Sequence, residues 1–359
     1  MFNYILRRLL LLIPTLLGAT LVVFTVMAAS PGGVGGTEMN DEGSVNGEQA
    51  KAAMEYRIKR FGLDKPLPVQ YWRWLNHVSP VGFESNESDG SLGKFQWWKT
   101  PDLGRSFSKG RPVVDLVAES LPITLLLNLL TLPITHTIAI GSGIYSAKRR
   151  GGLVDVSTGM TFLALWSVPV ILAGVMAIGF LANRQYIHLF PTGGLHDLQA
   201  DSMRFLPSHD AAGWNRGYLL DTIWHLILPV ACLSYGGFAF LSKMVRGSML
   251  ENLSADYART ARAKGLRENL VLFRHVFRNS LLPLITSSAG LIPGLLGGSL
   301  IVESIFSIHG MGFLMLEAVK AHDRELVMDQ ALVVGGIGLV SYLIADILYV
   351  VADPRVTFE

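Results

Sequence analysis

Charge is scarce in this chain. Only 16% of its 359 residues are Asp, Glu, Lys or Arg, and half are hydrophobic; ordinary soluble domains carry about a quarter charged. The shortage excludes a typical soluble protein and makes a polytopic membrane protein the default. The formal net charge is +2, which leaves no basic surplus for nucleic acid. There is one cysteine, Cys232, in an apolar run, so an intrachain disulfide is excluded. The chain has no G-x-x-x-x-G-K-[ST], the backbone cradle for nucleotide phosphates, and no H-E-x-x-H or C-x-x-C; its nine histidines lack zinc-ligand spacing. We therefore assign no catalytic residue, no metal and no cofactor bound by this chain.

What the chain does have is apolar runs. Arg7 and Arg8 precede the run Leu9 to Ala29. A signal peptide would show a basic start and small residues at the end, but its apolar core is about 7–15 residues. This run is longer and predicts a first transmembrane helix within residues 1–29. Further spans are expected at Leu116–Tyr145, interrupted by Pro122 and Pro133, and at Val156–Leu181, Thr222–Lys243, Leu284–Val302 and Ala331–Val351. The expected fold is an all-α polytopic membrane protein with six transmembrane helices. A polar external region, 30–115, separates helix 1 from a five-helix core, 116–359.

In the external region Ala50–Phe61 reads as helical, GLDKPLPVQYWRWL as a turn and a short aromatic segment, and Asn86–Gly93 as a loop. Trp72, Trp74, Trp97 and Trp98 suit interfacial anchoring, with substrate contact the competing reading. Lys148, Arg149, Arg150 and the eight basic residues between Lys243 and Arg278 outweigh the five in the two short external loops. By the positive-inside rule both termini are cytoplasmic.

Within the fifth span Gly290, Gly294 and Gly298 recur every four residues, a small-residue face for close packing or a pathway, with Pro293 expected to bend the helix. Asp346 lies in the last span. A carboxylate there is costly without a partner, and its distance from Asp353, about 10 Å along a helix, makes Arg278 a reachable structural partner. His136 reads as a buried, hydrogen-bonded side chain.

The loop 246–283 holds a basic polar insert, NLSADYARTARAKGLRENLVLFRHVFRNSLLP, between apolar runs. Ser254 is placed to cap a short helix, Asp256 suits its first turn, and Arg259, Arg262 and Lys264 suit its C-terminal end. Gly265 supplies the left-handed stop. Tyr257, Ala258 and Ala261 form a low-relief face suited to another protein's groove. Arg267–Leu282 carries apolar residues at 270, 273, 276, 277 and 281, an amphipathic helix. Charge alone would read the insert as a solvated basic loop.

The order DYARTARAKGL followed by RHVFRNSLLP resembles the cytoplasmic EAA loop of ABC importer permeases, in the form of the dipeptide, oligopeptide and nickel branch, and is similar to the microcin C-type peptide permeases in its long first external region and DPRVTFE ending. RRLLLLIPTLLG, DKPLPVQYWRWL, DLGRSFSKGRPV, SVPV, HLILPV and ESIFSIHGMG resemble the same branch. Departures are Ile308, His309 and Phe313 in place of the usual proline and arginine, and ELVM at 325–328. The resemblance implies a type I importer permease at a bacterial inner membrane. Its partners would be a second homologous permease, two ATPase subunits carrying ATP and Mg, an external solute-binding protein and a peptide-like substrate. The coupling helix would comprise Tyr257, Ala258, Arg259, Thr260, Ala261, Arg262, Ala263, Lys264 and Gly265. An ion-coupled secondary transporter is the alternative, and an intramembrane serine hydrolase around Ser142 a distant one.

Overall fold

Backbone N–H and C=O groups in hydrocarbon have no water to bond, so apolar runs of this length close their hydrogen bonds within helices. The computed structural model describes residues 2–29, 58, 62, 64–85, 92–210, 213–289 and 291–352. Among them four helices are long and apolar enough to cross a membrane, and a fifth candidate is a pair bent by 90°.

In chain order, α1 is Phe2–Ala29 and α2 Leu67–Val78, followed by the antiparallel strands β1 (Gly82–Ser85) and β2 (Leu92–Gln96). Then come α3 (Val113–Lys148), α4 (Leu153–Ser167) and α5 (Val170–Met176), which continues as a π-turn over Ala177–Ala182. A short antiparallel pair, β3 (Ser208–Asp210) and β4 (Gly213–Asn215), precedes α6 (Gly217–Ser254) and α7 (Asp256–Ala263). Next are α8 (Glu268–Leu270), a π-turn over Val271–Val276, α9 (Phe277–Ser280), α10 (Leu282–Ala289) and a 3₁₀ turn over Ile292–Leu295. The chain ends with α11 (Leu300–Ile305), α12 (Met311–Lys320) and α13 (Arg324–Ala352). Met1–Glu119 with Met315–Leu339 form one unit, and Ser120–Leu314 with Val340–Glu359 the other.

In the first unit the aromatic segment after the turn is the helix α2, and Leu92 and Gly93, expected in a loop, open β2. The helix expected at Ala50–Phe61 lies outside the described residues apart from Ile58, which is helical. Trp74 and Val78 of α2 pack with Phe24 of α1 and Met328 of α13. The Trp74 indole donates to Asp329 Oδ1 at 2.8 Å, and the Arg324 guanidinium lies 4.7 Å over the Phe24 ring. Asp323 accepts from Ser106 Oγ at 2.7 Å and Ser108 N at 2.9 Å, which ties the GRSFSKG turn to the start of α13.

Pro122 and Pro133, expected to kink the second span or displace its start, lie inside one continuous 36-residue α3. In the second unit two expectations change. The span expected at Val156–Leu181 breaks instead at Pro169, which has no N–H to continue α4. Val168 is held extended (φ −84°, ψ 119°), as a residue before proline prefers, and its carbonyl accepts from Tyr235 Oη at 2.7 Å. The span expected at Leu284–Val302 is also not one helix. It divides into α10, the 3₁₀ turn holding Pro293, and α11.

That division removes the regular glycine face. Gly290 lies outside the described residues. Gly294 sits in the 3₁₀ turn with open space around it, whereas Gly298 has φ +71°, and a Cβ there would lie 2.6 Å from Gly312 N and 2.7 Å from Glu303 Oε1. The glycines serve a buried carboxylate instead. Glu303 is 1% exposed and accepts from Ser299 N at 3.0 Å, Phe313 N at 3.0 Å and Thr124 Oγ1 at 3.1 Å, while Thr124 Oγ1 accepts from Met311 N at 2.8 Å. These bonds fasten the ESIFSIHGMG turn to α3. Gly298→Ala should therefore cost about 1–3 kcal/mol and lower the thermal unfolding midpoint of the purified chain in detergent, with Gly294→Ala unchanged.

Candidate functional site

The polar insert forms a helical module at the end of α6. Ser254 is not a cap: it is the last residue of α6, and its hydroxyl bonds back to Glu251 O at 2.8 Å. A single residue, Ala255, extended at ψ 152°, turns the chain into α7, with Asp256 in the first turn. The far end of α7 follows the expected rule. Gly265 takes φ +76°, Gly265 N donates to Arg262 O at 2.9 Å and Leu266 N to Ala261 O at 3.3 Å, the paired bonds of a Schellman stop.

The face expected to meet a partner is divided. Ala258 and Ala261 are 0% and 6% exposed, packed within this chain in a cluster that includes Met249, Val271, Leu272 and Val276. The low relief of the alanines thus serves docking of α7 onto its own chain. Outward lie Asp256, Tyr257, Arg259, Thr260, Ala263, Lys264 and Gly265. The Tyr257 hydroxyl donates to Asn252 Oδ1, and Arg259 stands 3.5 Å from Asp256 with both side chains well exposed.

Arg262, expected to face a partner, is turned to Glu268 by bonds of 2.8–3.3 Å and to Leu253 O at 3.2 Å. It clamps both ends of the module. The Arg262 guanidinium holds the Glu268 carboxyl below its ordinary 4.5. The segment expected to be a regular amphipathic helix contains a π-turn, whose extra residue rotates the buried face to Val271, Leu272, Val276 and Ser280. Leu270 and Phe273, inward by regular spacing, are exposed.

Two ties connect the module's supports. Arg246 of α6 makes a bidentate pair with Asp155 of α4, 2.6 Å and 2.7 Å, and Gly151 N donates to the same carboxylate at 2.8 Å. Lys148 at the end of α3 donates to Asn269 Oδ1 at 3.1 Å. Sequence inspection missed the Arg246–Asp155 pair, although an aspartate four residues after the Gly-Gly turn's first glycine was a signal for it. Close approach of α3 to α6 is built in at Gly143, where a Cβ would lie 2.8 Å from Val245.

Ser142 bonds to Ser242 Oγ at 2.9 Å and Ala139 O at 3.1 Å, with no histidine among these partners. His136 bonds to Ser288 Oγ and Leu132 O, both at 2.8 Å, and His225 stands 3.5 Å from Asp221. The distant hydrolase alternative therefore has no assembled base. Asp346 is half-buried in α13 and Arg278 exposed in α9.

The short helix expected to stop at Gly265 is α7, which follows α6 after one residue. Residues 139–358 match the family described as binding-protein-dependent transport system inner membrane component, and residues 1–128 match its N-terminal counterpart. The chain belongs to this family. It is 36% identical over 359 residues, all of both chains, to the oligopeptide transport system permease protein AppB of Bacillus subtilis. It is 29% identical to the inner membrane ABC transporter permease protein YejB of Escherichia coli O157:H7, over 99% of each chain. A peptidoglycan transport system permease protein YejB of Agrobacterium fabrum is 30% identical over 99% of this chain and 98% of its own. As a member of the binding-protein-dependent permeases, this chain is the membrane-embedded translocation subunit of an ABC importer, a transport subunit that works with ATPase and binding-protein partners.

The clamp and the tie give two measurable outcomes. Because the folded Glu268 carboxyl titrates below 4.5, its bond to Arg262 is present above the ordinary carboxylate range and lost as pH falls through the lowered value. Amide exchange over 266–270, corrected for intrinsic rates, should accelerate below pH 4.5 in the wild type and show no such step in Glu268→Gln. Asp155→Asn should lower the unfolding midpoint by removing the Arg246 pair, and the Asp155→Arg/Arg246→Asp exchange should recover part of the loss in detergent melts.

Proposed function

We propose that this permease carries peptides or peptide-like solutes, delivered by an external binding protein, and that α7 is the coupling helix seated in an ATPase subunit. The carrying observation is the mechanical continuity of α6 and α7 through one residue, with Ala258 and Ala261 sealed onto the same chain. A force applied to the exposed side of α7 is then delivered to a 38-residue helix rather than absorbed by a loop. The relatives' names supply the substrate class, since AppB and YejB are described as oligopeptide and peptidoglycan permeases.

The full assembly in this reading has this chain beside a second homologous permease, two ATPases holding ATP and Mg, and the binding protein opposite them. The basic module and both termini lie on the cytoplasmic side. Docking uses Tyr257, Arg259, Thr260, Ala263, Lys264 and Gly265, with Arg262 as an internal clamp. Closure of the ATPases on ATP pulls α7 and switches helix packing between two arrangements. Gly294 belongs to the 3₁₀ break, where non-helical backbone suits a position lining a path. Asp346 pairs with Arg278, and a charge exchange between the two should preserve folding where Asp346→Arg alone does not.

The division of α7 into two faces supplies the test. Arg259→Glu and Tyr257→Ala should leave the chain's melting temperature unchanged but abolish substrate-stimulated ATP hydrolysis and co-purification of the ATPases. Ala258→Leu should lower the melting temperature first, because overpacking such a site costs about 1–3 kcal/mol. Gly265→Asp should strain the left-handed stop by about 1–2 kcal/mol and uncouple hydrolysis from transport. Wild-type coupling in Arg259→Glu would overturn the assignment of the docking face.

A further inference from the structure

The external polar region contains a helix with an apolar side left uncovered. In α2 the polar side chains Gln70 and Asn76 are each 5% exposed, whereas Leu67, Val69 and Trp72 are 48%, 38% and 53% exposed. The inward polar groups are bonded: Gln70 Nε2 to Lys65 O at 2.8 Å, and Asn76 to both the carbonyl and the N–H of Phe83 at 2.9 Å and 2.8 Å. A helix that faces water places its apolar side inward. This one buries Trp74 and Val78 together with the bonded Gln70 and Asn76, yet also presents leucine, valine and tryptophan outward, so it is apolar on both sides.

The depth of α2 says what meets that face. Tyr71 Oη donates to Leu17 O at 3.1 Å and shares a hydrogen bond with Thr20 Oγ1 at 2.9 Å, and its ring packs edge-on to Phe24. The apolar window of α1 runs over Leu6–Ala29, so Leu17 sits at its midpoint, about 18 Å along the axis from Ala29. A tyrosine side chain is little longer than one helical turn, about 5.4 Å. The backbone of α2 therefore lies beside the half of α1 that carries the outward-facing Leu21, Val22 and Val26, each at least 48% exposed. The outward apolar residues of α2 thus lie alongside the half of α1 that carries these exposed apolar residues.

We propose that α2 is a membrane-embedded interfacial helix, with Leu67, Val69 and Trp72 seated among the acyl chains of the leaflet at the C-terminal end of α1. Lys65, exposed just before the helix, reaches the headgroups as basic residues at such boundaries do. The region between the first two spans is thus anchored in lipid at its midpoint, and the aqueous part of it is correspondingly smaller than the polar sequence suggests. This rests on α1 crossing the bilayer and is independent of the coupling role of α7.

Nitroxide labels at single cysteines test it. The full chain, with the partners that purify with it, carries Cys232→Ser plus one of Val69→Cys, Trp72→Cys, the lipid reference Leu10→Cys or the aqueous reference Asp201→Cys, in phosphatidylcholine–phosphatidylglycerol vesicles. Labels at 69 and 72 are expected to match position 10, relaxed by oxygen and shielded from a water-soluble nickel chelate. Nickel access equal to that at position 201 would overturn the proposal. Shielding from both relaxants, the sign of a protein partner on this face, would overturn it equally. A failure of position 10 itself to report lipid would place the fault in the spanning of α1.

Discussion

Two small side chains decide how the polar helical module behaves. Ala258 and Ala261 allow α7 to lie against Val271, Leu272 and Val276 at backbone distance, and anything larger would lift it away. Once seated, α7 has only its other side to offer, and the Schellman stop at Gly265 with the Arg262–Glu268 clamp fixes its length and exit angle. The Asp155–Arg246 pair then gives α4 and α6 a common reference at the same end of the unit. Stiffness here comes from a handful of bonds around a short helix rather than from a large core.

The bilayer's intolerance of unsatisfied backbone groups shapes the rest. Where α4 ends at Pro169, Tyr235 supplies the missing donor to Val168. At the second break, Glu303 collects N–H groups of the turn around Gly298 and Gly312, and Thr124 relays the same service to Met311. At both of these interruptions a side chain bonds backbone groups beside the break.

The sequence was most legible where one residue type has one use. Gly265 read correctly as a left-handed stop, since few other residues take that conformation, and the long apolar runs read correctly as α1, α3, α6 and α13. The loop signature was likewise plain, being a fixed order of residues. What escaped depends on three dimensions. Spacing alone could not reveal that the alanines of α7 face inward, because a low-relief surface suits self-docking and partner docking equally. Nor could it foresee the π-turn that exchanges Phe273 for Leu272 in the core, because one extra residue per turn rotates the whole face. Pro122 and Pro133, read as kinks or a displaced start, sit within α3, while Pro169, read as part of a span, breaks one.

The pairing of Trp74 with Asp329 joins residues 255 positions apart, and Arg324 and Asp323 reach back to Phe24 and Ser106 in the same way. The first unit is therefore stitched from two stretches far apart in sequence, and loss of α13 would strip Trp74 and the Ser106–Ser108 turn of the carboxylates they bond.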